Sequence, residues 1–170
     1  MGSDAHLIVV GGAPWLADTA VARVEDLERR WSRFLPDSEI SRANARAGSW
    51  TQVSPETLAL VERAELARCR TDGRFDPTRL TDVAHAGYDR SFDQLADRGH
   101  DPDRGTDRAR PTARAVDRTG EASVTGAVVR VDRARSSILV PAGVGFDPGG
   151  IGKGFAADLV LDELRSEEHT

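Results

Sequence analysis

The residues best equipped for chemistry lie in Asp147-Pro148-Gly149-Gly150-Ile151-Gly152-Lys153-Gly154, a glycine-dense run leading into an apolar-periodic segment. Glycines let a backbone approach a ligand closely, and the free N–H groups and positive dipole end of a helix attract an anion such as phosphate. Two known phosphate loops do not fit. A P-loop needs glycine where Asp147 stands and Ser or Thr where Gly154 stands. The dinucleotide pattern lacks a glycine at Pro148 in one register and Gly or Ala at Phe155 in the other. Spacing alone leaves a structural glycine turn and a phosphate loop both open, and Lys153 weighs toward phosphate. It is the one lysine beside 22 arginines, which points to a place where arginine would not serve.

Two further segments carry polar groups at suggestive spacing. In Thr71-Asp72-Gly73-Arg74-Phe75-Asp76-Pro77-Thr78, carboxylates four residues apart flank a glycine and could hold a hydroxyl, a ring N–H or a metal. A helix C-terminus at Gly73 followed by a turn explains the same residues, and by itself is the better account. Trp31 to Asn44 contains Phe34-Leu35-Pro36-Asp37-Ser38 and then Ser41 and Asn44. Alone it reads as an aromatic helix end with two serine caps.

These segments need elements to hold them. His6 to Val10 reads as a short strand closed by Gly11-Gly12, and Leu16, Ala20, Val24, Leu27 and Trp31 recur at helical spacing up to a break at Pro36-Asp37-Ser38. Glu39 to Ser49 reads as a short helix or loop, and Trp50 to Val53 as a strand. Ser54 and Pro55 are an N-cap and first-turn proline for a helix to about Arg70, with Leu58, Val61 and Leu66 facing the core and Cys69 semi-buried. Residues 97–120 are rich in Asp, Arg, Gly, Pro and Thr with almost nothing to bury, so a mobile insertion is predicted there. Ala127 to Val131 and Ser137 to Val140 form a predicted hairpin across Asp132 to Arg135, and a helix is predicted over Phe155 to Leu164. Residues 165–170 read as a non-native tail on a chain cut short at its C-terminus, so His169 is given no role.

Composition narrows the class. At 170 residues the chain fits one domain, and its net charge of −5 argues against a mainly electrostatic nucleic-acid binder. No run approaches a membrane span, and Met1-Gly2-Ser3-Asp4 opens without the basic and apolar regions of a signal peptide, so a cytoplasmic location is expected for the chain as written. The single Cys69 excludes an internal disulfide and a cysteine zinc cluster.

Taken in order, the motifs resemble the FAD:protein FMN transferase family, the ApbE-like flavin transferases. Met1-Gly2-Ser3 is similar to the family's Met-Gly-Thr/Ser start, Phe34 to Ser38 with Ser41 and Asn44 to its aromatic-x-Pro-Asp-Ser element, and Thr71 to Thr78 to its Thr-Asp-Gly-x-Phe-Asp-Pro-Thr element. Gly87-Tyr88-Asp89-Arg90-Ser91-Phe92 resembles a segment often found next in actinobacterial members, and Asp147 to Gly154 the Asp-x-Gly-Gly-Ile-Ala/Gly-Lys-Gly signature. The resemblance implies an α+β fold, a single domain with a mostly antiparallel sheet covered by helices, here the N-terminal portion over residues 1–164 and incomplete at the C-terminus.

It also implies an activity: FMN is transferred from FAD through a phosphoester bond to a threonine of an acceptor flavoprotein, with magnesium and with release of AMP. Met1, Phe34, Asp72, Gly73, Arg74, Gly149 and Phe155 would contact FAD, Lys153 would help hold the loop or its phosphate, and the Gly152 carbonyl would be a magnesium ligand. No residue stands out as a general base, so the catalytic residue is left unnamed. Tyrosine is frequent in the family where this chain has Phe34, which leaves FAD hydrolysis open beside transfer. A FAD-binding module without turnover is the second reading, and FAD pyrophosphatase the third.

Overall fold

The computed structural model describes residues 5–10, 12–85 and 127–167. The expectations for Met1, for the segment from Gly87 to Phe92, for the insertion at 97–120 and for the last three residues lie outside them. Helices α1 (Trp15–Trp31), α2 (Glu39–Ala45), α3 (Pro55–Arg70), α4 (Leu80–His85) and α5 (Gly149–Glu167) surround strands β1 (Trp50–Gln52), β2 (Arg130–Asp132) and β3 (Ser137–Leu139). The strands form one antiparallel sheet in the order β1-β3-β2, so the fold is α+β as expected.

The register places Thr51 and Val131 on either side of Ile138, and Ile138 is fully buried. Against this row pack Leu27 and Trp31 of α1, Ile40 of α2, Leu60 and Val61 of α3, and Phe155 of α5. The Trp31 ring stacks on Phe155 with centroids 5.6 Å apart, and its indole N–H donates to Thr57 Oγ1 at 2.9 Å. A buried indole thus keeps both its apolar contact and its one donor satisfied.

Local chemistry fixes the helix ends. Ser38 Oγ accepts from the Ser41 N–H and Ser54 Oγ from the Thr57 N–H, two serine N-caps in series. The Glu39 carboxylate accepts from both the N–H and the hydroxyl of Ser54 at 2.9 Å, tying α2 to the start of α3. On the outer side, Arg23 of α1 pairs with Glu56 of α3 and Glu163 of α5, and Arg30 pairs with Asp26 and Glu56. Burial opposes ionisation of Asp26 and Glu56, but their arginine partners prevail and hold both below the usual carboxylate range.

Several local expectations are corrected. His6 to Val10 form no strand: the segment has no ladder partner among the described residues, and Ile8 and Val10 are 84% and 88% exposed. Its apolar run also lacks the alternation of a half-buried strand. Leu66 is exposed because α3 buries the stripe through Thr57, Val61 and Ala64, from which Leu66 is well rotated, and Cys69 is exposed in the last turn of the helix. The strand predicted from Ala127 pairs only from Arg130, since the Val129 N–H is taken by the Glu65 carboxylate at 2.8 Å. At the other end β3 stops at Leu139, and the Val140 carbonyl accepts instead from the Gly48 N–H at 2.7 Å.

Helix α5 begins at Gly149 and not at Phe155. Pro148 closes the first turn, its carbonyl accepting from the N–H groups of Ile151 and Gly152 at 3.0 and 2.8 Å. The glycines read as either a structural turn or a phosphate loop are therefore the first turns of the helix. The same helix continues to Glu167, past the predicted end at Leu164.

Candidate functional site

The three motif segments meet at the stretch between β3 and α5. From the first side comes Asn44, in the last turn of α2. Its amide nitrogen donates to the Phe146 carbonyl at 2.9 Å, and its amide oxygen accepts from the Phe146 N–H at 2.8 Å. One side chain thereby satisfies both polar groups of a backbone unit 102 residues away, as a strand neighbour would. From the second side, the Asp147 N–H donates to the Pro77 carbonyl at 2.7 Å, the Leu80 N–H donates to the Gly145 carbonyl at 3.2 Å, and Arg79 and Gly145 make an isolated parallel bridge.

Asp147 stands where these contacts converge. Its Oδ1 accepts from the Gly149 N–H at 2.8 Å, and its Oδ2 lies 3.4 Å from Arg33 Nε. The helix start thus already carries an internal anion, and that anion is matched by a cation from the turn after α1. The guanidinium of Arg33 also lies 4.4 Å from the centre of the Phe34 ring, which is 36% exposed.

The segment at the end of α3 divides into two parts. Thr71 closes the helix, its hydroxyl donating to the Ala67 carbonyl and accepting from the Phe75 N–H at 3.0 Å. Asp72 and Gly73 then turn through the left-handed region with φ of 51° and 75°. Asp72, Gly73 and Arg74 are all exposed. Beyond them, Asp76 accepts from both the N–H and the hydroxyl of Thr78 and pairs with Arg79 at 3.3 Å. Burial acts against the Asp76 carboxylate, yet the Thr78 hydrogen bonds, with Arg79 and Arg68 nearby, hold it below the usual range.

Of the residues expected to contact a ligand, Phe34, Asp72, Gly73, Arg74, Gly149 and Lys153 are exposed. Phe155 is different: its ring is buried, stacked on Trp31, with the Arg63 guanidinium 4.2 Å from its centre. Two glycines in the signature have distinct reasons. A Cβ on Gly150 would come within 2.6 Å of the Phe75 ring, whereas Gly154 has nothing near it. Gly150 is thus where the second motif packs on the third.

Gly152 is buried in the first turns of α5, where a helical carbonyl is directed toward the N–H four residues on. Among the described residues no group of three or more acidic, histidine or cysteine side chains is placed to hold a metal ion. Magnesium takes about six oxygen ligands in near-octahedral order, so the described residues do not fit a magnesium site by themselves.

The sequence alone gave neither Asn44 nor Arg33 a role. For Asn44 a signal existed: asparagine is a poor residue in a helix and favours competing backbone contacts, so its presence in a helical turn suggests a partner elsewhere. For Arg33, one arginine among many, there was none. No helix among the described residues is long and apolar enough to cross a membrane.

Among solved structures, the chain is similar to the ApbE protein of Thermotoga maritima, at 22% identity and a TM-score of 0.67, with 89% of this chain and 44% of that one covered. It is similar also to the apo form of the flavinyl transferase ApbE of Pseudomonas stutzeri, at 22% identity and a TM-score of 0.63, covering 89% and 46% respectively. The chain therefore spans less than half the length of these structures. No curated protein matches it. The sequence model of the ApbE family matches residues 1–170, the whole length, and the chain belongs to the ApbE family.

Proposed function

We propose that this chain is the N-terminal portion of a FAD:protein FMN transferase, which transfers FMN from FAD through a phosphoester bond to a threonine of an acceptor flavoprotein and releases AMP. The observation that carries the reading is the convergence of the three motif segments on Asp147 and the first turn of α5, through Asn44 with Phe146, Pro77 with Asp147, and Phe75 with Gly150. Segments far apart in the chain are built into one surface, along which Phe34, Asp72, Arg74 and Lys153, side chains the family resemblance gives to FAD, are exposed.

In this reading Phe34 offers a ring face for stacking, Asp72 and Arg74 offer an acceptor and a donor from a rigid left-handed turn, and Gly149 and Lys153 approach the pyrophosphate. Phe155 acts from below, by fixing α5 against Trp31. Magnesium belongs to the proposal, with the Gly152 carbonyl as one ligand. Among the described residues no group of three or more acidic, histidine or cysteine side chains is placed to supply the others.

A second reading is FAD binding without turnover. A third, FAD pyrophosphatase activity, differs only in where FMN ends. One experiment separates them. The protein is incubated with FAD and magnesium, with and without a threonine-bearing acceptor flavoprotein. AMP is followed by chromatography and protein-bound flavin by fluorescence in a denaturing gel. AMP with bound flavin supports transfer, AMP with free FMN supports hydrolysis, and FAD binding without AMP supports the module. A protein that neither binds nor cleaves FAD would remove the proposal.

A further inference from the structure

The Arg33–Asp147 pair sits between the exposed Phe34 ring and the start of α5, and both side chains are largely out of solvent, 14% and 19% exposed. Its geometry poses an electrostatic problem for the ligand proposed above. A pyrophosphate approaching Gly149 meets a carboxylate already bonded to the Gly149 N–H. Like charges at close range in a poorly hydrated setting repel strongly. The pair as a whole is neutral, so the repulsion is cancelled only while Arg33 remains in place.

We propose that Arg33 is a specificity-determining residue for phosphorylated ligands, which acts by neutralising Asp147 at the edge of the site and so admits a pyrophosphate that the carboxylate alone would turn away. The inference rests on the proposed FAD reading and deepens it. It makes a claim that a purely structural ion pair does not: the effect of Arg33 depends on the charge of the ligand, and the loss on removing it is offset by making Asp147 neutral as well. The contact with Phe34 offers the competing explanation. If Arg33 served only to orient that ring, its loss would weaken a flavin without phosphates as much as FAD.

The test is a ligand-by-variant matrix read by titration calorimetry in EDTA, with riboflavin, ADP and FAD as probes and circular dichroism as the check on folding. Arg33→Met should weaken FAD and ADP about tenfold while riboflavin changes by less than about twofold, and Arg33→Lys should recover most of the loss. The double variant Arg33→Met with Asp147→Asn should return FAD to within about threefold of the parent, because the asparagine oxygen can still accept from Gly149 without the charge. Asp147→Asn alone should bind FAD at least as tightly as the parent, which keeps the proposal testable if Arg33→Met does not fold. Equal losses for riboflavin and FAD, no rescue in the double variant, or weaker FAD binding by Asp147→Asn would each overturn it. If the parent binds FAD and Arg33→Met binds it equally well, the charge proposal falls and the FAD reading stands. If the parent binds none of the three probes even with magnesium in place of EDTA, the FAD reading itself falls.

Discussion

Asp72 and Asp76 are four residues apart in one short motif, and the fold treats them in opposite ways. Asp76 is nearly spent: Thr78 donates to it twice and Arg79 pairs with it. Asp72 projects from a left-handed turn into solvent, and no hydrogen bond to its carboxylate is found among the described residues. A carboxylate that builds a turn and one that is offered to a ligand are indistinguishable as letters. The difference lies in which neighbours the chain returns to each. The chain turns through Asp72 and Gly73, leaving Asp72, Gly73 and Arg74 exposed, and from Pro77 onward it bonds to the segment of Gly145 and Asp147.

The contrast breaks most visibly at Asp76. Asp76→Ala strands the Thr78 N–H and hydroxyl and removes one carboxylate from Arg79, which keeps Asp82, and should cost about 2–3 kcal/mol in urea denaturation. Acid sharpens the point. Because the folded carboxylate titrates below its ordinary value, its contribution is complete above roughly pH 4 and is lost as pH falls through the lowered folded value. Asp26 and Glu56 shift in the same direction, so the protein as a whole is expected to weaken in acid. The difference between parent and variant should therefore shrink below about pH 4. A gap that stays constant to pH 3 would show that Asp76 acts through shape and not charge.

Asn44 extends the comparison to the opposite side of the site. Asn44→Ala removes both partners of the Phe146 backbone in one step, and a loss of about 2 kcal/mol is expected in thermal denaturation. A loss under about 0.5 kcal/mol would mean that water replaces the amide and that the clasp is dispensable. The two signature glycines give a smaller, paired effect. Gly150→Ala drives a methyl into the Phe75 ring and should cost about 1–2 kcal/mol, whereas Gly154→Ala meets nothing and should raise stability by up to about 1 kcal/mol through helix propensity. The reverse order would put the constraint at Gly154, outside the contact with Phe75.

What the sequence made legible follows from the range of each signal. Ser54 with Pro55 announced the start of α3, since capping is settled within one turn of chain. The hairpin from Arg130 to Leu139 was likewise readable, because its strands are neighbours in sequence. Leu66 was misplaced because it was read for its apolar side chain, although it lies five residues from Val61 and so off the stripe that α3 buries. The first turns of α5 were missed because glycine reads as a breaker, and Pro148 carbonyl bonds and the Phe75 contact that make a glycine helix start suitable here come from the fold. At the site, resemblance supplied the segments, but the links between Asn44 and Phe146 and between Arg33 and Asp147 exist only in three dimensions.

The smallest effect on stability is expected at Asp72, and it carries the most for function. Asp72→Asn leaves the shape of the side chain unchanged, and asparagine tolerates the left-handed backbone at least as well as aspartate. With no partner to lose among the described residues, the apo protein should keep its stability to within about 0.5 kcal/mol. A hydrogen bond from a ligand donor to the charged carboxylate is worth about 1.5–3 kcal/mol, so FAD should bind roughly tenfold or more weakly to the variant. The two halves of the motif then give opposite signatures: Asp76→Ala moves the melting transition and Asp72→Asn moves the FAD isotherm. Equal FAD affinities for parent and Asp72→Asn would make the exposed half of the turn as structural as the buried half, and would shift the ligand's recognition to Phe34 and the start of α5.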